Sequence, residues 1–172
     1  MESAPQSSIN AELAELFKQD QEDRSGGAKH FDWEKIAVQD AQRLARAHEI
    51  YAEFKESKVF LEPESLYQLA MLFQHSLDVE DYKRAQEVAE LSGSQGYENA
   101  QWLAAAAEDR YLLAIGQKQK WGTQFKRNED GEYEQPDYAS DEESGITDEV
   151  RIARGVSPRA EQLDFMTKKR RP

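Results

Sequence analysis

Cysteine is absent from this chain of 172 residues, which excludes disulfides, thiolate catalysis and cysteine-based zinc or iron–sulfur centres. Long apolar runs are absent as well. Nothing approaches the roughly 18 consecutive apolar residues that a membrane span requires. The opening stretch MESAPQSSIN has neither the basic n-region nor the apolar h-region of a secretory leader. A soluble, cytoplasmic protein is the expectation. Histidine is scarce: His30, His48 and His75 show no metal-ligand spacing, and no cofactor is expected. No nucleophile elbow or phosphate loop occurs.

Basic residues are outnumbered, 22 against 34 acidic, for a formal net charge of -12 at pH 7. An acidic body repels phosphate backbones, so neither nucleic acid nor an anionic membrane is an expected partner. The excess is uneven. Asn128 to Glu149 contains ten acidic residues and no Lys or Arg, whereas Arg151 to Pro172 has seven basic residues against Glu161 and Asp164. The closing run of Lys168, Lys169, Arg170 and Arg171 reads as a solvated terminus.

What is present is helical periodicity, in a chain long enough for one domain with a sizeable core. The fold expected is an all-α bundle of about five helices over 10–125, closed by a polar segment. Residues 1–9 are expected to be a disordered N-terminus, 126–146 an acidic flexible linker, and 147–172 a short helical or disordered basic tail. Asn10 is the expected cap of the first helix, which runs to about Arg24. A loop with Gly26 and Gly27 follows, and Asp32 caps a helix from Trp33 to about Lys55. Pro63 suits the first turn of a third helix, ending near Leu77 and apolar nearly all round, hence central. Asp78 or Asp81 starts a fourth, with Gly93 and Gly96 as its stop. A fifth runs from about Glu98 to Ile115, with a stripe of Trp102, Ala106 and Leu113. Thr147 and Ser157-Pro158 are candidate starts for two short helices in the tail. No strand pattern of real length is visible.

Charges interrupt the apolar faces of three helices. Asp20 and Arg24 share a side with Leu13, Leu16 and Phe17, because spacings of three, four and seven residues share a helix face. Asp40 and Arg43 fall in the stripe of the second helix, and Asp109 and Arg110 lie on or beside that of the fifth. Such groups are rarely buried unless paired. They form either a structural ion-pair network or a polar pocket in which guanidinium groups hold a carboxylate or phosphate. Gln74 and His75 lie near the packed surface of the third helix. His75 can act as an acid/base with Asp109 or Asp40 orienting its ring, or simply favour a helix C-terminus. Gln117 to Gln124 offers Gln119, Gln124 and Thr123 as donors and acceptors around Trp121 and Gly122. It either packs on the bundle or forms one wall of a site, with Trp121 as a stacking surface.

QDQEDR (Gln19 to Arg24), the Asp40/Arg43 pair, FQHS (Phe73 to Ser76), DYKRAQEVAELSGSQGY (Asp81 to Tyr97), AQWLAAAAEDRYLL (Ala100 to Leu113) and QKQKWGTQF (Gln117 to Phe125) together resemble a family of small, mainly bacterial helical proteins of unassigned activity. Its members are similar in a Gln-His pair, a later Asp-Arg pair and a closing Gln-x-Tyr-Gly-Thr-Gln signature; here Trp121 replaces the Tyr. A looser echo lies in ITDEVRIARGVSP (Ile146 to Pro158). The resemblance implies no particular reaction, but a signature made of polar residues favours a shared site. Asp81 to Ala107 also resembles one Sel1 or tetratricopeptide hairpin, short of the roughly three repeats a solenoid needs.

Three functions follow. The first is binding of a small anionic ligand in a pocket of Asp20, Arg24, Asp40, Arg43, Gln74, Asp109, Arg110, Gln119, Trp121 and Gln124. The second is a hydrolytic or group-transfer enzyme with His75 as catalytic acid/base. The third is a protein interaction module in which the Asp/Arg network is structural.

Overall fold

The computed structural model describes residues 6–25, 32–129 and 131–168. Its fold is all-α, with one very small two-stranded sheet. Five main helices come first: α1 (Gln6–Asp23), α2 (Trp33–Lys55), α3 (Pro63–Gln74), α4 (Val79–Ser94) and α5 (Asn99–Ala114). The strands β1 (Lys126–Arg127) and β2 (Tyr133–Glu134) follow, then α6 (Asp141–Ser144), α7 (Asp148–Ala153) and α8 (Arg159–Lys168). No helix among the described residues is long and apolar enough to cross a membrane.

Local capping chemistry sets several boundaries. Asp32 accepts from the Lys35 amide at 3.0 Å and Asp78 from the Glu80 amide at 2.9 Å, starting α2 and α4. Pro63 occupies the first turn of α3, where its missing N–H costs nothing. The helix ends at Gln74 rather than near Leu77, with His75 as its C-cap. Gly116, at φ +74°, ends α5 with its own N–H bonded back to Leu113.

The start of α1 differs from the reading of Asn10 as a cap. The helix is already formed at Gln6, and Ile9 of its first turn is buried in the core. Asn10 serves another element instead: its Oδ1 accepts the Glu62 amide at 3.2 Å, at the start of α3. The Gly26-Gly27 loop, residues 1–5 and the last four residues lie outside the described residues.

Helix α3 is central, touching α1, α2, α4 and α5, while α4 packs most extensively on α3 and α5. Leu66, Leu69 and Phe73 meet Leu13, Ile50, Val88 and Leu103 in the main core. The alanine run of α5 faces two ways. Ala104 and Ala107 belong to the main core, whereas Ala105 joins Trp121, Ile146 and Val156 in a second, smaller one. Alanine at these positions lets both layers approach the α5 backbone closely. Trp102, expected in the apolar stripe of α5, is instead 45% exposed.

The second core gives structure to the segment read as an acidic flexible linker. Gln119 pairs with Tyr138 through bridging backbone bonds, Lys126 pairs with Glu134, and Ser140 with Glu143 forms a capping box on α6. Arg151 of α7, 0% exposed, donates to the Trp121 carbonyl at 2.6 Å. Beyond 126–146, therefore, α7 docks on the bundle.

Candidate functional site

Two groups of polar residues flank α5. The first gathers where the end of α1, the middle of α2 and the C-terminus of α3 meet. Arg24 donates from Nη1 to Asp20 and from Nη2 to Asp40, both at 2.6 Å. Arg43 donates to the other oxygen of Asp40 at 2.7 Å and to Asp23 at 2.8 Å. Burial tends to raise the Asp40 pKa, but bonds from Arg24 and Arg43 prevail and hold it below its ordinary value. Asp20 is buried and accepts in addition from Gln21 at 2.8 Å and contacts His75 Nδ1 at 2.9 Å. Asp20, rather than Asp109 or Asp40, is thus the carboxylate that orients the ring of His75.

Part of this group forms one wall of a cleft of about 490 Å³. Arg24, Asp40, His75 and Arg110 line it together with Ser76, Asp78 and Tyr82; Trp33, Ile36, Ala37, Ala41, Leu44 and Leu77 supply the apolar part. The volume is within the range of roughly 300–1,000 Å³ usual for small-ligand sites. Leu77, 96% exposed, stands at its rim.

Arg110 differs from its neighbours. Arg24, Arg43, Arg46 and Arg84 each meet a carboxylate at 2.8 Å or less. Arg110, among the described residues, meets none; its Nη1 donates to the backbone carbonyl of Gln74 at 3.1 Å. Its Nε is buried without a hydrogen bond among these residues, as is Oε1 of Gln74. Burial lowers the Arg110 pKa from its ordinary value, only partly offset by the adjacent Tyr82 hydroxyl, while Arg24 adds to the lowering. An arginine remains charged under such a shift.

The second group lies elsewhere, although Asp109 precedes Arg110 directly. Consecutive helical residues point about 100° apart. Asp109, 0% exposed, turns to the closing segment. Its Oδ1 accepts the amides of Lys120 (2.6 Å) and Trp121 (2.9 Å), and its Oδ2 accepts the amide (2.9 Å) and hydroxyl (2.8 Å) of Thr123. Burial raises its pKa against the opposing pull of these four donors. Expected to pair with Arg110 or face His75, it does neither.

Gln119, fully buried, donates to the carbonyls of Gln124 and Pro136 and accepts the Gln124 amide at 3.0 Å. Gln124 in turn donates to Thr123 Oγ1 at 2.9 Å. Trp121 is not a stacking surface on the cleft: its ring is buried in the second core and its indole N–H donates to Glu108 at 2.6 Å. Of the residues proposed to share one pocket, Arg24, Asp40, His75 and Arg110 line the cleft. Asp20, Arg43 and Gln74 stand behind it, while Asp109, Gln119, Trp121 and Gln124 fasten the closing segment to α5.

Two polar centres escaped the sequence reading. Buried Asp81 accepts from Ser76 Oγ and Arg84 at 2.6 Å each and contacts His48 Nε2 at 3.2 Å. The serine donates to the aspartate and not to the histidine, so this is a brace rather than a nucleophile with its base. Arg151 bonds Tyr138 and, at 2.6 Å, Asp141. The only sequence signal for it was the echo over Ile146 to Pro158. No group of three or more His, Asp or Glu side chains is placed to hold a metal among the described residues. No family model matches the chain, and no curated protein or solved structure matches it either.

Proposed function

We propose that the cleft between α1, α2 and the α3–α4 junction binds a small organic anion, with Arg110 as its anchor. One observation carries this reading: Arg110 faces the cleft without a carboxylate partner among the described residues, while Arg24, Arg43, Arg46 and Arg84 are all paired. A guanidinium in such a position attracts an anion and can grip it through two parallel N–H groups. A thermal-shift screen of organic anions tests it. At least one anion raises the melting temperature of the wild-type protein by mass action, and Arg110→Ala removes the shift while retaining the wild-type circular dichroism spectrum. A shift that survives in Arg110→Ala refutes the assignment.

A second reading, an enzyme, is favoured by the Asp20–His75 contact of 2.9 Å on the cleft wall. With Nδ1 held by the carboxylate, Nε2 is the ring nitrogen left to exchange a proton with a bound molecule. His75→Gln separates the two readings. A variant that binds the same anion but no longer forms product identifies an enzyme, whereas unchanged chemistry removes His75 from the reaction.

A further inference from the structure

We infer that the cleft selects a singly charged carboxylic acid carrying a flat apolar body, and discriminates against phosphate-rich polyanions. This rests on the reading of the cleft as an anion site and adds the class of ligand.

The charge balance around Arg110 sets the limit on the head group. In and behind one wall of the cleft, the three carboxylates Asp20, Asp23 and Asp40 face two guanidiniums, Arg24 and Arg43, whose Nη atoms they occupy. Asp78 adds another negative group to the lining. Among the described residues, Arg110 is therefore the basic group of the lining that meets no carboxylate, since Arg24 and His75 both contact Asp20, in a chain of net charge -12. A single negative charge is matched by Arg110. A second or third charge on the same ligand would face Asp40 and Asp78, where like charges repel. Sites for di- and triphosphates differ in kind: they gather several cations or a row of backbone amides around the phosphates.

The remaining lining sets the body. Ile36, Ala37, Ala41 and Leu44 present an apolar face of α2, with Trp33 a turn before it and the exposed Leu77 in the same lining. An apolar group laid between them removes that surface from water, which favours binding in proportion to the area covered. The small Ala37 and Ala41 leave room for a flat body.

Isothermal titration of the full chain tests the inference with 2-naphthoate, its neutral amide, acetate and pyrophosphate. Binding of 2-naphthoate at least tenfold tighter than each of the other three supports it. Ala41→Trp fills the cleft from an exposed helix position, so the fold is retained; it should weaken 2-naphthoate at least tenfold, and Arg110→Gln likewise. Pyrophosphate binding as tightly as 2-naphthoate, lost in Arg110→Gln, overturns the ligand class and leaves the anion site standing. Equal binding of the amide overturns the role of the carboxylate. Binding of 2-naphthoate unaffected by Ala41→Trp places it outside the cleft and overturns the inference. If no anion binds in an Arg110-dependent manner, the anion site falls together with it.

Discussion

The adjacent residues Asp109 and Arg110 should respond to substitution to different degrees. In Asp109→Asn one oxygen is retained, and the new amide group must face two donors, either the amides of Lys120 and Trp121 or the amide and hydroxyl of Thr123. Hydrogen bonds to a charged acceptor contribute roughly 1.5–3 kcal/mol each, so the gross loss is about 3–6 kcal/mol. Against this, the variant no longer buries a charge, a cost reflected in the raised pKa of Asp109. The net destabilisation should be about 2–4 kcal/mol. For a domain of this size about 2–4 °C is lost per kcal/mol, which places the melting temperature roughly 4–16 °C lower. Arg110→Ala removes a charged-donor bond to a carbonyl and the contact with the Tyr82 hydroxyl, is offset by no longer burying that charge, breaks no ion pair among the described residues, and should cost about 1–2 kcal/mol. Urea denaturation followed by circular dichroism measures both, and amide exchange at Lys120, Trp121 and Thr123 reports on the clamp itself. If Asp109→Asn loses less than about 1 kcal/mol with those amides still protected, the clamp does not hold the closing segment. If Arg110→Ala loses about 3 kcal/mol or more, Arg110 is a structural brace and the case for the cleft fails.

Gly122→Ala should destabilise the protein by about 1–3 kcal/mol, because the backbone there sits at φ +74° and a Cβ would meet Gln135 and Gln162 at 2.8 Å; a melting temperature equal to wild type in calorimetry would contradict this. Asp40→Asn should lower stability by about 2 kcal/mol at neutral pH, since it leaves Arg24 and Arg43 with one carboxylate each. The sign of its pH dependence follows from a folded pKa held below the ordinary 3.8: the wild-type contribution is complete above that value and lost as pH falls through the lower, folded one. The difference between variant and wild type should thus be constant from about pH 5 to 7 and shrink only below about pH 3.8, as read by denaturation at each pH.

Helices whose boundaries depend on local chemistry were legible in the sequence. Asp32, Pro63, Asp78 and Gly116 each act within a turn or so of their own position, so their types suffice to place α2, α3, α4 and the end of α5. Asn10 misled because its side chain acts at Glu62, 52 residues away. The same distinction governs the candidate site. A helical wheel showed correctly that Asp20, Arg24, Asp40 and Arg43 lie toward packed surface, and these four do meet. It could not say what each charge faces, and so it joined Asp109 to Arg110. Nothing local marks Arg151, in a short helix between an acidic stretch and a basic tail, as a fully buried side chain. Its partners, Trp121, Tyr138 and Asp141, are set only once the chain has folded back.

What distinguishes Asp109 from Arg110 in this molecule is what each charge meets, not how deeply it is buried. Asp109 is more buried than Arg110, yet all its acceptor capacity is answered by four donors from one segment of the same chain. Removing it must expose those donors without partners, and the consequence is structural. Arg110 carries its charge into a cleft where, among the described residues, it meets the Gln74 carbonyl and the Tyr82 hydroxyl and no carboxylate. Its burial is opposed by desolvation, which lowers its pKa and is only partly offset by the neighbouring Tyr82 hydroxyl. Helix α5 therefore divides two kinds of polar chemistry: on one side a clamp that folding completes, and on the other a cation that meets no carboxylate among the described residues.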